Sequence, residues 1–346
     1  MLTVYKVEFF DRAFDYVASS LISSPEISFD YLTLESTEVI LPTLVNVPFG
    51  SYANITDIDG NIIYQGIALE AMQESGITSV LLSPLLSICD TDVYADFSSL
   101  GNIESFLAGI LNGLYNGTDA SQKITGFTAS ASTTTAAVML LDGNIHNLYD
   151  VMIQAFKKYG VFCAAEFSPQ DKTFTVTIAK ASATPFKIET DLPNVIDPQV
   201  FIGDLSGALN KIIYINEVNE AVTATYYLHT DGTISAVDED RITPVVGGYR
   251  YINSDDFAAD AAIAATDDLT PEEFNNLIEV TVKNDDQLIS PTEKKVGDRA
   301  LVYHGGAAYS SVLTGYRKTT QLTTLIFGAV RLELTKKIII ERRGKK

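Results

Sequence analysis

Two stretches about 250 residues apart read as the same strand-turn-strand unit, and any fold for this chain has to place both. The first runs FGSYANITDIDGNIIYQGIA (Phe49–Ala68) and continues as TSVLLSPLLSI (Thr78–Ile88). The second runs VGDRALVYHGGAAYSSVLTGY (Val296–Tyr316) and continues as TTLIFGAVRLEL (Thr323–Leu334). In each, a Gly (Gly50, Gly297) precedes a short apolar strand, and a turn follows (Asp59-Gly60; Gly305-Gly306). Then come a Tyr-bearing strand (Tyr64, Tyr309), another Gly (Gly66, Gly315) and a continuous apolar strand. The period is far too long for a solenoid. It suits two similar small barrels at the two ends of one chain. The spacers differ by several residues, and two unrelated hairpins with common turn residues would leave the same marks.

Between the units the periodicity changes. Residues 1–96 read as β: Leu2, Val4 and Lys6 alternate with Thr3, Tyr5 and Val7, Pro42 and Pro48 break runs, and Asp59-Gly60 is a hairpin signal. From about residue 97 the spacing turns helical. Ile103, Phe106, Leu107, Ile110, Leu111 and Leu114 share one face, ending near Gly113, Asn116 and Gly117. A second stripe runs Ile145, Leu148, Tyr149, Met152, Ala155, Phe156 and Tyr159, with Lys157 and Lys158 in its last turn and Gly160 after it. Strands are expected over Val161–Phe167 and Lys172–Ile178, joined by Ser168–Asp171, so 97–200 forms an inserted α+β domain. Residues 201–253 form a β-hairpin segment, from Asn210–Asn216, Thr223–Leu228 and a turn at Asp231-Gly232. Residues 254–346 hold two short helices before 280, the second capped by Thr270, Pro271 and Glu273, then the second barrel and a basic tail. The expected class is β-rich α+β: two similar small β-barrel domains with inserted α+β modules.

Composition excludes several classes. At 46% hydrophobic and 20% charged residues, 346 residues can bury more than one core. No apolar run reaches the length that spans a membrane, and the acidic, alternating N-terminus lacks the features of a signal peptide, so synthesis in a cytoplasm is expected. The two cysteines, Cys89 and Cys163, sit in apolar settings and read as buried thiols. A net charge of −20 opposes unassisted binding to nucleic acid. It suits a surface that nucleic acid passes without sticking, and equally plain solubility. The tail from Lys336 (KKIIIERRGKK) is locally basic and reads either as a solvated end or as a contact for an acidic partner.

Catalytic strings are missing: no G-x-S-x-G, H-E-x-x-H, Walker loop or G-x-G-x-x-G after a strand. His146, His229 and His304 have no Cys or second His at ligand spacing. In DIDGN, Asp57, Asp59 and Asn61 resemble a calcium loop, but the Gly stands at the fourth position, so a hairpin turn accounts for it. Asp90, Asp92 and Asp96, and Asp238, Glu239 and Asp240, read as solvated acids. No residue is assigned to catalysis, to a cofactor or to a metal.

The opening VYKVEFFDRAFDY, the hairpin DIDGNIIYQGIA and the terminal LTTLIFGAVRLELTKK resemble the tail-hub (tail-associated, tail-tip) proteins of long-tailed phages and prophages of Gram-positive bacteria. That family is similar in fold to the baseplate hub of contractile phages. The resemblance implies a homotrimer with two barrels per chain, so that six barrels form a ring closing the tail tube. It implies partners in the distal tail protein ring and other tail-tip or baseplate proteins, a place at the virion tail tip, and genomic DNA passing through without specific binding. With no catalytic motif found, no enzyme activity is expected. Other readings are a host-surface adsorption protein touching saccharide, a distal tail protein whose ring has six chains, or a cell-wall enzyme without a known motif.

Overall fold

The computed structural model describes residues 4–331 apart from 24, 97–101, 120, 136–140, 142–143, 183, 203–208, 230–232, 242–244, 253–260, 263, 266–267, 270–273 and 275. The expected turn at Asp231-Gly232, the cap at Thr270–Glu273 and the basic tail from Lys336 lie outside the described residues.

Strand alternation builds the first sheet. In β1 (Val4–Phe10), Tyr5, Val7 and Phe9 point inward while Lys6 faces water. The sheet runs β2 (Tyr16–Ser23), β1, β5 (Tyr52–Thr56), β6 (Ile62–Glu74), β7 (Ile77–Pro84), β4 (Thr37–Leu41), with every pairing antiparallel. It curls until β2 and β4, the ends of this order, touch. Val7, Phe9, Val39, Leu41, Ile55, Val80 and Leu82 fill its inside.

The second sheet is assembled from distant parts of the chain. Its order is β13 (Phe186–Glu189), β20 (Arg299–His304), β21 (Ala307–Lys318), β22 (Leu322–Phe327), β19 (Asn276–Lys283), β14 (Ile196–Ile202). A seventh strand, β3 (Ile27–Asp30), comes from the N-terminal region and pairs with the far half of β21. Ile278, Val280, Val302, Leu313, Leu325 and Phe327 form its core. The chain is thus mostly β, with two curled sheets as the two similar β-rich halves.

Three expectations change. β13 and β14, read as part of the 97–200 insert, pair instead with β20 and β19. Asn276–Glu279, read as the end of a helical stretch, opens β19; Leu277, Ile278 and Val280 are buried, and consecutive burial suits a strand packed on both faces. The terminal strand, expected to reach Leu334, stops at Phe327 because Gly328 turns at φ 79°.

Between the sheets sits the inserted α+β module. Helix α1 (Ile103–Tyr115) starts at Asn102, whose side chain accepts from Ser105 N at 3.1 Å. Helix α2 (Leu148–Tyr159) starts at Asn147 and ends at left-handed Gly160. Ile145, expected in that helical stripe, belongs to the short strand β10 (Ile145–Asn147), which pairs with β8 (Asp92–Tyr94), and its side chain is exposed. Both helices pack near a three-stranded sheet of β11 (Val161–Ser168), β12 (Thr173–Lys180) and β9 (Phe127–Ala131). Beyond it, β15 (Lys211–Asn216) and β16 (Val222–Leu228) pair as expected, and β17 (Ile234–Ser235) and β18 (Gly247–Ile252) extend them to four strands.

The module's core reaches into both sheets. Phe10, Phe14, Tyr31 and Tyr52 enter it from the first half, and Phe274 and Val312 from near the second. The stretch Ile27–Tyr31 is the crossing point. Asp30 is buried, and Arg331 binds its carboxylate twice, Nε to Oδ2 at 2.6 Å and Nη2 to Oδ1 at 2.9 Å. Arg331 also donates to Gly328 O at 2.9 Å and Thr314 Oγ1 at 2.9 Å. Next door, Tyr31 N donates to Thr314 O at 2.9 Å, and Cys163 N donates to the Tyr31 hydroxyl at 3.1 Å.

Removing one partner of a buried pair strands the other charge. Arg331→Ala is expected to destabilise the chain by about 3–5 kcal/mol, measured by guanidinium unfolding. In the second core, Phe327→Ala is expected to cost about 3–5 kcal/mol in the same assay, because the cavity is walled by Ile278, Val280 and Leu313. A loss under about 1 kcal/mol would contradict the burial of Asp30 in the first case and of Phe327 in the second.

Candidate assembly surfaces

The pairing registers turn the sequence repeat into a residue-by-residue correspondence. Tyr52 faces Ile67 as Arg299 faces Val312, and Ile55 faces Tyr64 as Val302 faces Tyr309. Across the next pair, Ala68 faces Leu82 as Leu313 faces Phe327. Both central strands then carry a bulge at the same place, between Ala68 and Glu70 and between Leu313 and Gly315. Val39 faces Val80 as Val280 faces Leu325. Thus β4-β5-β6-β7 corresponds to β19-β20-β21-β22.

Polar details repeat as well. Gly50 N bonds Ala68 O at 2.8 Å, and Gly297 N bonds Leu313 O at 2.9 Å. These two glycines take φ 78° and 92°, a conformation that other residues rarely adopt. Buried Thr78 donates to Thr43 O at 3.0 Å, and buried Thr323, its counterpart, donates to Asn284 Oδ1 at 2.7 Å, so each hydroxyl pins the loop after the neighbouring strand.

One expected match fails. The counterpart of Gly66 is Ser311, and that of Gly315 is Glu70. Different neighbours demand the two glycines. A Cβ at Gly66 would meet Ser83 O at 2.7 Å, whereas one at Gly315 would meet Phe29 O at 2.5 Å in β3.

The halves differ in what covers them. Beside Gly297 lies the Phe162 ring of the module; beside Gly50 lies the Arg12 guanidinium. Arg12, Phe49, Tyr52, Tyr115 and Lys123 line a cleft of about 350 Å³ between the first sheet and α1. Along β21, Gly315 is buried and Tyr316, Arg317 and Lys318 are half-buried under β3, while their counterparts Glu70, Ala71, Met72 and Gln73 are exposed.

Solved structures similar to this chain include phage and prophage tail components. The 43 kDa tail protein of prophage MuSo2 from Shewanella oneidensis has a TM-score of 0.58 at 9% identity, over 94% of this chain and 98% of that one. Prophage tail protein gp18 from Listeria monocytogenes has 0.54 at 12%, over 98% of each chain. A chain of the activated phage P2 baseplate has 0.51 at 14%, over 94% of this chain and 98% of that one. This chain has the fold of phage tail proteins. No family model and no curated protein matches it. At such identities the likeness lies in the path of the backbone. The tail-protein fold accounts for nearly the whole chain, inserts included.

Within this fold several of the polar residues singled out from sequence serve local structure. Asp57 accepts from Asp59 N at 3.0 Å, Asn61 N at 2.8 Å and Asn61 Nδ2 at 2.8 Å, the geometry of a turn. Slight burial opposes its ionisation, but these bonds outweigh that and lower its pKa. Asp90 accepts from Asn147 Nδ2 at 2.9 Å, which steadies the residue that caps α2. Asp238 pairs with Arg241. His229 Nε2 meets Ser235 Oγ at 2.8 Å, His304 Nδ1 meets Thr190 Oγ1 at 2.8 Å, and His146 lies on β10. These three histidines are not brought together. Among the described residues no three His, Cys, Asp or Glu side chains gather as metal ligands would, and no helix is long and apolar enough to cross a membrane.

Both cysteines are unbridged and buried. Burial pushes the Cys163 thiol from 9.0 to about 12, against a lowering hydrogen bond to Tyr31, and raises Cys89 well above its usual range. A folded pKa raised above the unfolded one means that the stabilisation is complete below pH 9 and is lost as pH climbs toward about 12. Tyr52 and Tyr316, both pushed by burial to about 12, act in the same direction. Native protein at about pH 8 is expected to leave both thiols unreacted with Ellman's reagent until guanidinium is added. The melting midpoint is expected to fall steadily above pH 9. Rapid reaction of the native thiols would contradict their burial.

Proposed function

We propose that this chain is a structural tail-hub protein, three copies of which form a closed ring at the tip of a phage or prophage tail. One observation carries the reading: the strands β4 to β7 recur as β19 to β22 with the same registers and the same bulge. A chain with two equivalent halves offers two quasi-equivalent surfaces, so three chains present six. Such a ring can sit under a sixfold tube while itself being threefold. Its partners are the distal tail protein ring and other tail-tip or baseplate proteins. The fold shared with tail proteins supports this role, though a fold by itself does not dictate function.

The net charge of −20 supports a channel that DNA crosses without being held, since bound phosphates need Lys and Arg. In this reading the protein is assembled at the virion tail tip and performs no catalysis. Asp57 is engaged in a turn, Asp90 in a helix cap and His304 in a contact between strands, which supports a structural role.

Negative-stain images of the purified protein, or of tails containing it, test the proposal. Rings with threefold symmetry and six barrel-sized lobes are expected. Rings of six whole subunits would overturn the hub reading in favour of a distal tail protein. Purified protein is also expected to release no sugar or peptide from Gram-positive cell walls, and reproducible zymogram clearing would contradict the structural role.

A further inference from the structure

The two halves agree in register but not in occupancy. In the second half, the edge Gly315–Lys318 is filled by β3, which pairs Ile27 with Lys318, Ser28 with Arg317, Phe29 with Tyr316 and Asp30 with Gly315. The equivalent edge in the first half is Glu70–Gln73. There β6 pairs with β7 on one side, while the stretch leading into β5 leaves its other side at Ala68, and no strand among the described residues takes over. Leu69 is 38% exposed and Met72 is 55% exposed, whereas their counterparts Thr314 and Arg317 are buried and half-buried.

An unpaired edge carries open backbone donors and acceptors, and proteins cover or charge such edges. Along this edge the charges are only Glu70 and Glu74, with Leu69, Ala71 and Met72 among them. We infer that the Glu70–Gln73 edge is where a second copy of this chain docks, by adding an extended segment to β6 as β3 adds to β21 within the chain. The internal geometry states the operation. A segment ahead of the first half pairs with the hairpin of the second half. Repeating that step between molecules brings a neighbour to the hairpin of the first half. This contact is heterologous, and it closes into a ring where the rotation between copies returns on itself.

The residue at position 70 refines the contact. Gly315 admits the backbone of Phe29 and Asp30, which a Cβ would meet at 2.5 Å and 3.1 Å. Glu70 has that Cβ and a carboxylate besides. The incoming segment therefore pairs along Ala71–Gln73 and turns away before Glu70. The same substitution keeps the chain's own β3 on the second half, since β3 in its present register clashes at Glu70.

This inference rests on the ring reading, and the test separates the two. Sedimentation velocity on concentrated protein compares the parent chain with Met72→Asp and Met72→Gln. Ile58→Asp, at the opposite end of the same hairpin pair, serves as a control, since Ile58 is exposed in the β5–β6 turn. The expected result is trimers for the parent and for Ile58→Asp, and roughly tenfold or greater weakening for Met72→Asp at an unchanged melting midpoint. Met72→Gln, which adds no charge, gives the deciding comparison if the aspartate variant melts earlier. Trimers of equal strength in both Met72 variants overturn the edge and leave the ring reading standing. A parent chain that stays monomeric at every concentration overturns both.

Discussion

The fold turns on a salt bridge that spans almost the whole chain. Asp30 and Arg331 are separated by 301 residues and meet in a partly buried, bidentate pair. Around it, Arg331 also holds Gly328 O and Thr314, Thr314 O holds Tyr31 N, and Tyr31 reaches the module at Cys163. Two cores and the second sheet thus meet on five residues: Ile27 lies in the first core, Tyr31 in that of the module, and Ile27–Asp30 pair with β21. A buried ion pair adds little net stability against an apolar replacement of the same shape, but it punishes any arrangement that leaves one partner alone. Its effect is therefore to fix how the halves sit, more than to strengthen either. Gln65 acts similarly nearby, its amide bonding Phe167 O at 2.9 Å and Phe167 N at 3.1 Å to tie the first sheet to β11.

The paired halves show how one strand meander can serve two settings. What repeats is whatever the meander needs for itself: the left-handed glycine before the strand, the bulge, the pinning threonine. What differs is whatever a neighbour requires. The Cβ direction of Gly50 meets a guanidinium and that of Gly297 meets an aromatic ring, because one faces the cleft by α1 and the other faces β11. The flanking strands differ too: β1 runs antiparallel to β5, while β13 runs parallel to β20.

Features written in local spacing were legible in the sequence. Helix α2 was visible because its apolar stripe, terminal lysines and Gly160 agree with one another. The meanders were visible because turn residues punctuate them. Long-range pairing was not, since strands such as Ile27–Asp30 or Phe186–Glu189 have four residues and choose partners by tertiary contact. The false match of Gly66 with Gly315 has the same origin: a glycine reports that something comes close, not what. The candidate edge at Glu70–Gln73 was illegible for a related reason. Its residues are ordinary alone, and only comparison with the covered residues Gly315–Lys318 sets them apart. Likewise, at 9–14% identity the likeness to tail proteins lies in the path of the backbone and not in the residues.

The position of β3 has a consequence for how the molecule is made. Ile27–Asp30 leaves the ribosome long before its partner edge on β21 and the guanidinium of Arg331 do. At about 5–20 residues per second, the strand waits roughly 15–60 s for them. During that time the first sheet can form, yet its β3 linker has no sheet to join, and Asp30 is kept solvated. A nascent chain stalled before residue 315 presents an unpaired strand that other stalled chains also present.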